Sequence, residues 1–167
     1  MARIIFTVPS WTPVAVADTT NMTDAGHVSI KGGSTTQVTN LLEVYCGGLA
    51  TASANMPIQL ARHSTVGATL TALAGPNSEE PSNPATAALA APALPYVAST
   101  TKPQADANAK LGSYAFNAFG GLVRKQWNSG EGPSLLGNTA SFGELGLNCF
   151  TGGTVGLMAS HFEYESL

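Results

Sequence analysis

Apolar residues in this chain recur at every second position, in short runs broken by glycine, proline, asparagine and serine. They almost never follow the roughly 3.6-residue spacing of a helix. Alternation of this kind gives an extended segment one side for a core and one for its surroundings, so it points to strands. Eight runs carry it: 3–8, 26–31, 37–46, 56–61, 111–119, 122–127, 141–150 and 155–164. In the second run Val28 and Ile30 share a face, with His27, Ser29 and Lys31 opposite. In the third, Val38, Leu42, Val44 and Cys46 share a face with Asn40, while Glu43 points the other way. Met56, Ile58 and Leu60 alternate with Pro57, Gln59 and Ala61 in the fourth.

About eight strands, with nothing between them that resembles a crossover helix, predict an all-β single domain, a β-sandwich or jelly roll. Gly-Gly pairs at 32–33, 47–48, 120–121 and 152–153 stand beside strand ends, where tolerance of positive φ suits hairpins and bulges. At 167 residues the chain reads as one domain, 1–167, able to bury roughly two-thirds of its unfolded surface without a disulfide or metal. One segment departs from the pattern. Residues 74–95 are rich in proline and alanine, with prolines at 76, 81, 84, 92 and 95 that oppose both a long helix and a central strand. This segment is expected to be a long loop inserted in the domain, or an arm laid over a neighbouring chain.

Charge is scarce. Asp, Glu, Lys and Arg make up 10% of the residues, against about 25% in an ordinary soluble domain. A neutral surface of Thr, Ser, Asn and Gln suits a protein covered by neighbours, because few charges lose water on assembly. The net charge of −3, with Arg124 and Lys125 as the single adjacent basic pair, argues against nucleic acid as a partner. No stretch reaches the roughly 18 apolar residues of a membrane span. The apolar run at residues 4–6 is too short for a signal-peptide core, so the product is expected to stay in the cytoplasm of the cell that makes it. There Cys46 and Cys149 are expected to be reduced core residues.

The search for chemistry yields no catalytic residue, cofactor or metal site, and no enzyme is expected. His27, His63 and His161 stand in no metal-ligand spacing and are read as surface or strand-edge residues. His63 and Ser64 are adjacent, but neighbours on a strand face opposite ways and do not form a nucleophile–base couple. Asp18 and Asp24 flank a polar turn that lacks the spacing of a calcium loop. Glu163 and Glu165 alternate on the last strand and are expected on a solvated face. No nucleophile elbow, phosphate loop or dinucleotide fingerprint is present.

Four stretches carry a likeness to a known group: residues 12–24 (TPVAVADTTNMTD), 61–69 (ARHSTVGAT), 116–121 (FNAFGG) and 137–153, which opens GNTASFGE and closes FTGG. In these the chain resembles small tailed-bacteriophage virion structural proteins, some described as capsid-decorating or cement proteins. The resemblance implies a β-sandwich on the outside of the head that ties major capsid subunits together. It also implies a homo-oligomer, by preference a trimer, located in the virion. Leu89 and Leu94 in the proline-rich segment and Trp11 in the amino-terminal arm are the candidate interface residues. A receptor- or carbohydrate-binding β-sandwich on a tail or fibre is the alternative; Trp11, Trp127 and Tyr96 are its candidate aromatic platforms.

Overall fold

A computed structural model describes residues 4–10, 26–53, 55, 57–72, 77–78, 93–101, 103–137, 143–149 and 158–166. Among the described residues there is no helix. There are twelve strands: β1 (Ile4–Ser10), β2 (Gly26–Gly32), β3 (Thr39–Leu49), β4 (Ile58–Thr65), β5 (Ala68–Ala72), β6 (Asn77–Ser78), β7 (Ala93–Thr101), β8 (Gln104–Tyr114), β9 (Phe119–Gln126), β10 (Ser134–Leu135), β11 (Glu144–Cys149) and β12 (Met158–Ser166). They form two antiparallel sheets packed face to face. Sheet 1 runs β6-β1-β12-β3, with β9 and β10 sharing the far flank of β3; sheet 2 runs β5-β7-β2-β11-β4-β8.

Four antiparallel pairs explain this order: β1 with β12, β2 with β11, β3 with β9 and β4 with β8. They nest like one long hairpin. Successive pairs fall on alternate sheets, so the hairpin rolls up and brings β12 against β3 and β11 against β4. That is the jelly-roll connection. The strands β5 to β7 are inserted at the hairpin tip, between β4 and β8, and fold back over one side of the sandwich. There β6 extends sheet 1 beside β1, and β7 extends sheet 2 beside β2. The insertion therefore covers the β1/β2 side, whereas among the described residues β8 pairs with β4 alone and β9 with β3 alone.

The core lies between the sheets. Sheet 1 supplies Phe6, Val8, Leu41, Val44, Cys46, Val123, Phe162 and Tyr164; sheet 2 supplies Ile30, Ile58, Leu60, Leu145 and Leu147. Burying each large side chain contributes roughly 1.5–3 kcal/mol. The rings of Phe6 and Tyr164 stack with centroids 5.4 Å apart. Burial pushes the Tyr164 phenol well above its usual range, and among the described residues its hydroxyl has no hydrogen-bond partner.

Several expectations are corrected here. In β3 a register shift between the pairs Glu163–Glu43 and Tyr164–Leu41 makes Leu42 the extra residue. Leu41 therefore joins Val44 and Cys46 in the core, while Asn40 bonds to Ser134 rather than sharing their face. Strand β8 covers 104–114 rather than 111–119. Its first half, Gln-Ala-Asp-Ala-Asn-Ala-Lys, has no β-branched residue and is largely exposed, so pairing with β4 across three register shifts must hold it. Residues 74–95 are not one loop: Asn77–Ser78 pairs with β1, and 93–95 open β7. Residues 79–92 lie outside the described residues. Pro95 sits inside β7 at Ile30, beyond Tyr96 where β5 stops pairing; Pro9 sits in β1 beyond the two residues paired with β6. Among the described residues both prolines occupy stretches with a neighbour on one side, the setting in which strands tolerate a missing N–H.

Glycine is required for two different reasons. Gly120 adopts φ +74° at the start of β9. A Cβ on Gly48 would stand 2.3 Å from the Ala118 carbonyl oxygen, so close backbone approach selects glycine there.

Candidate functional site

The outward faces of the two sheets hold most of the polar chemistry, and each is organised around a buried glutamate. On sheet 2, Glu144 and Asn148 of β11 alternate with core residues Leu145 and Leu147, and so point outward beside His63 of β4. His63 Nδ1 lies 2.5 Å from Glu144 Oε1, and Gly67 N donates to Glu144 Oε2 at 3.0 Å. Lys31, opposite Glu144 in the ladder, reaches the Gly67 carbonyl at 3.5 Å. The imidazole leans over Gly146, where a Cβ would stand 2.6 Å from both His63 Cε1 and Ser29 Oγ. Asn148 Oδ1 lies 3.2 Å from His63 Nε2, which leaves Asn148 Nδ2 without a partner among the described residues. With the ring's proton on Nδ1 toward Glu144, a half-turn of that amide would bring its NH2 to Nε2 and satisfy both groups. His63 and Glu144 are 0% exposed, so this constellation is closed to any substrate.

On sheet 1, Glu43 of β3 collects four hydrogen bonds. Arg124 Nε and Nη2 donate to Oε2 at 2.9 and 2.7 Å, Gln126 Nε2 donates to the same oxygen at 2.5 Å, and His161 Nε2 lies 2.7 Å from Oε1. Burial pushes the Glu43 carboxyl up, but the bonds from Arg124, His161 and Gln126 outweigh it and hold the group below the usual carboxylate range. Glu163 stands directly opposite Glu43 in the ladder. Hydrogen bonding to Glu43, with the field of Glu163 behind it, raises the Arg124 guanidinium. His161 also stacks on Tyr45, with centroids 4.9 Å apart and planes 3° from parallel.

These findings correct two expectations. His63 and His161 are not plain surface residues, because each is tied to a carboxylate 81 or 118 positions away in the sequence. Glu165 is not solvated: it is buried and accepts from Ser129 Oγ and Gly130 N at 2.7 Å each. No alternation within one strand could have announced these partners.

The open side of the sandwich carries the apolar exposure. Phe119 and Leu122 of edge strand β9 are 60% and 62% exposed, and Leu49, paired with Phe119, is 46% exposed. Trp11 and Leu89 lie outside the described residues; Leu94 pairs with Lys31 from β7, and its side chain lies outside them too. Of the other aromatic candidates, Tyr96 pairs with Ser29, its side chain lying outside the described residues, while Trp127 directly follows β9, half-buried against the core. Asp18 and Asp24 are outside the described residues. Cys46 is buried in sheet 1; Cys149 pairs with Ile58 in sheet 2, and its side chain is outside them.

The chain matches no protein-family model, and a search of curated proteins finds no match.

Proposed function

We propose that this chain is a structural protein of a tailed-phage virion that binds the outside of the head and ties major capsid subunits together. The observation that carries the reading is the asymmetry of the sandwich. Its own insertion covers the β1/β2 side, while on the other side β9 pairs, among the described residues, with β3 alone, and Phe119 and Leu122 of β9 and Leu49 of β3 are exposed there. Edge strands with apolar side chains are ready-made templates for a partner and are normally blunted in monomeric proteins. Jelly rolls recur in viral capsid and lectin domains, a fold-level analogy that agrees with the sequence resemblance. Weak individual contacts would suffice, because a lattice multiplies them.

The test is co-sedimentation of the purified protein with phage heads, beside Phe119→Ser/Leu122→Ser. Wild type is expected in the pellet, with occupancy reduced about tenfold or more in the double variant, as for loss of central apolar anchors. Raising sodium chloride from about 0.05 to 0.5 M should leave the wild type bound, since ionic strength screens apolar contacts little. Failure of the wild type to pellet, or equal occupancy by the variant, refutes the reading.

A further inference from the structure

Trp127 follows β9, five residues on from Leu122 and about 16 Å away for extended chain, and its surroundings are a separate construction. Its backbone N–H donates to the Leu42 carbonyl at 2.8 Å, and the chain then turns back through residues 128–133 toward β10. That turn is held from beneath. Glu165 accepts from Ser129 and Gly130, with Gly130 at φ +78°. Asn128 Nδ2 donates to Glu131 Oε2 at 2.8 Å, Glu131 N donates to the Asn128 carbonyl, and Leu41 N donates to the Pro133 carbonyl. Gly132 has no room for a side chain, since a Cβ there would stand 1.7 Å from the Leu41 oxygen. The turn is thus fixed around the indole before any ligand arrives, which lowers the ordering cost of binding.

Two hollows flank the indole and share Trp127 and Glu131. One, about 320 Å³, opens toward Arg62 and Leu111 of sheet 2; the other, about 340 Å³, is bordered by Gln126 and Asn128. Each is at the small end of the roughly 300–1,000 Å³ range of ligand pockets. Lys125 Nζ stands 5.7 Å from the ring centroid, on the electron-rich face of the indole.

We propose that this cleft binds a pyranose sugar. A pyranose has a flat face of C–H groups, polarised by their neighbouring hydroxyls, that suits an indole face. Around its rim each hydroxyl both donates and accepts. The cleft supplies both roles: Glu131 and the amide oxygens of Asn128 and Gln126 accept, their NH2 groups already being given to Glu131 and Glu43, and Lys125 donates. A purely apolar ligand would strand these polar groups. A nucleotide would meet the Glu131 carboxylate and a chain of net charge −3.

The test is a printed array of hexopyranose oligosaccharides, neutral and uronic, probed with the labelled full chain, followed by calorimetry on the best-retained glycan. The expected result is retention of a subset of hexopyranosides, lowered about tenfold or more, some 1.4 kcal/mol, by Trp127→Ala. Trp127→Phe should recover part of it, Glu131→Gln and Lys125→Ala should weaken it several-fold, and Phe119→Ser/Leu122→Ser should leave it unchanged. If Trp127→Ala does not fold, Glu131→Gln and Lys125→Ala decide, because both side chains are exposed. Failure of the wild type to retain any printed hexopyranoside overturns the proposal, as does wild-type retention by both of those variants. Head binding is read independently by co-sedimentation, so failure here leaves the assembly proposal standing.

Discussion

Each sheet turns a buried glutamate–histidine pair away from the core, and the two pairs are enclosed differently. Glu144 and His63 are sealed at 0% exposure and bind β4 and β11 to the Gly67 turn that begins the insertion. Glu43 is itself buried, but its partner Arg124 is 53% exposed, and the hub ties edge strand β9 to β3 and β12. A carboxylate out of water is costly unless donors occupy its lone pairs. The sealed hub meets that demand with an imidazole and a backbone N–H. The open hub uses a guanidinium that keeps part of its hydration. The first is a staple within sheet 2; the second is a clasp on the edge strand proposed above for assembly.

Removing one partner of the sealed pair should have the largest effect. His63→Ala is expected to destabilise the fold by about 3–5 kcal/mol in urea denaturation, because it strands a buried carboxylate. Equal stability of variant and wild type would show that the Gly67 N–H and rearranged solvent suffice for Glu144. Gly146→Ala should follow, at about 1–3 kcal/mol, since its methyl group must displace the His63 ring or Ser29. If it melts with the wild type, the ring is not packed down on that glycine.

Glu43→Gln probes the open hub and should cost about 1–2 kcal/mol near neutrality, comparable to one charged hydrogen bond. Its pH dependence is more diagnostic. The folded-state pKa lies below the ordinary 4.5, so the carboxylate's contribution is fully present above that value. It is lost as pH falls through the lower folded-state value. Denaturation between about pH 6 and 3 should therefore show a loss of wild-type stability that is reduced in Glu43→Gln. Parallel profiles would mean that other carboxylates carry the acid response. Arg124→Gln should give the smallest shift, reduced further by salt, because an exposed partner is screened.

Much of the fold was readable along the chain. Alternation in 26–31 and 141–150 marked β2 and β11, and the glycine pair at 32–33 falls at the end of β2, whereas the pairs at 47–48 and 120–121 lie inside β3 and β9. The candidate sites were far less readable. Trp127 could be named as an aromatic platform, but nothing near it announces that Glu165 fixes the turn beside it. Phe119 and Leu122 look like any apolar strand residues; β9 being left at an edge exposes them.

The division follows from the range of the forces involved. Side-chain alternation is local, because consecutive strand residues face opposite ways whatever the partner strand is. The all-β class and the scarcity of charge could therefore be taken from the order of residues and their composition. Strand pairing is not local. The shift at Leu41–Glu43, the rolled order of the sheets and the capture of Glu144 by His63 depend on which segments meet across long stretches of chain. Packing of the two sheets decided those, and with them which of a few scarce charges are sealed and which edge is left open.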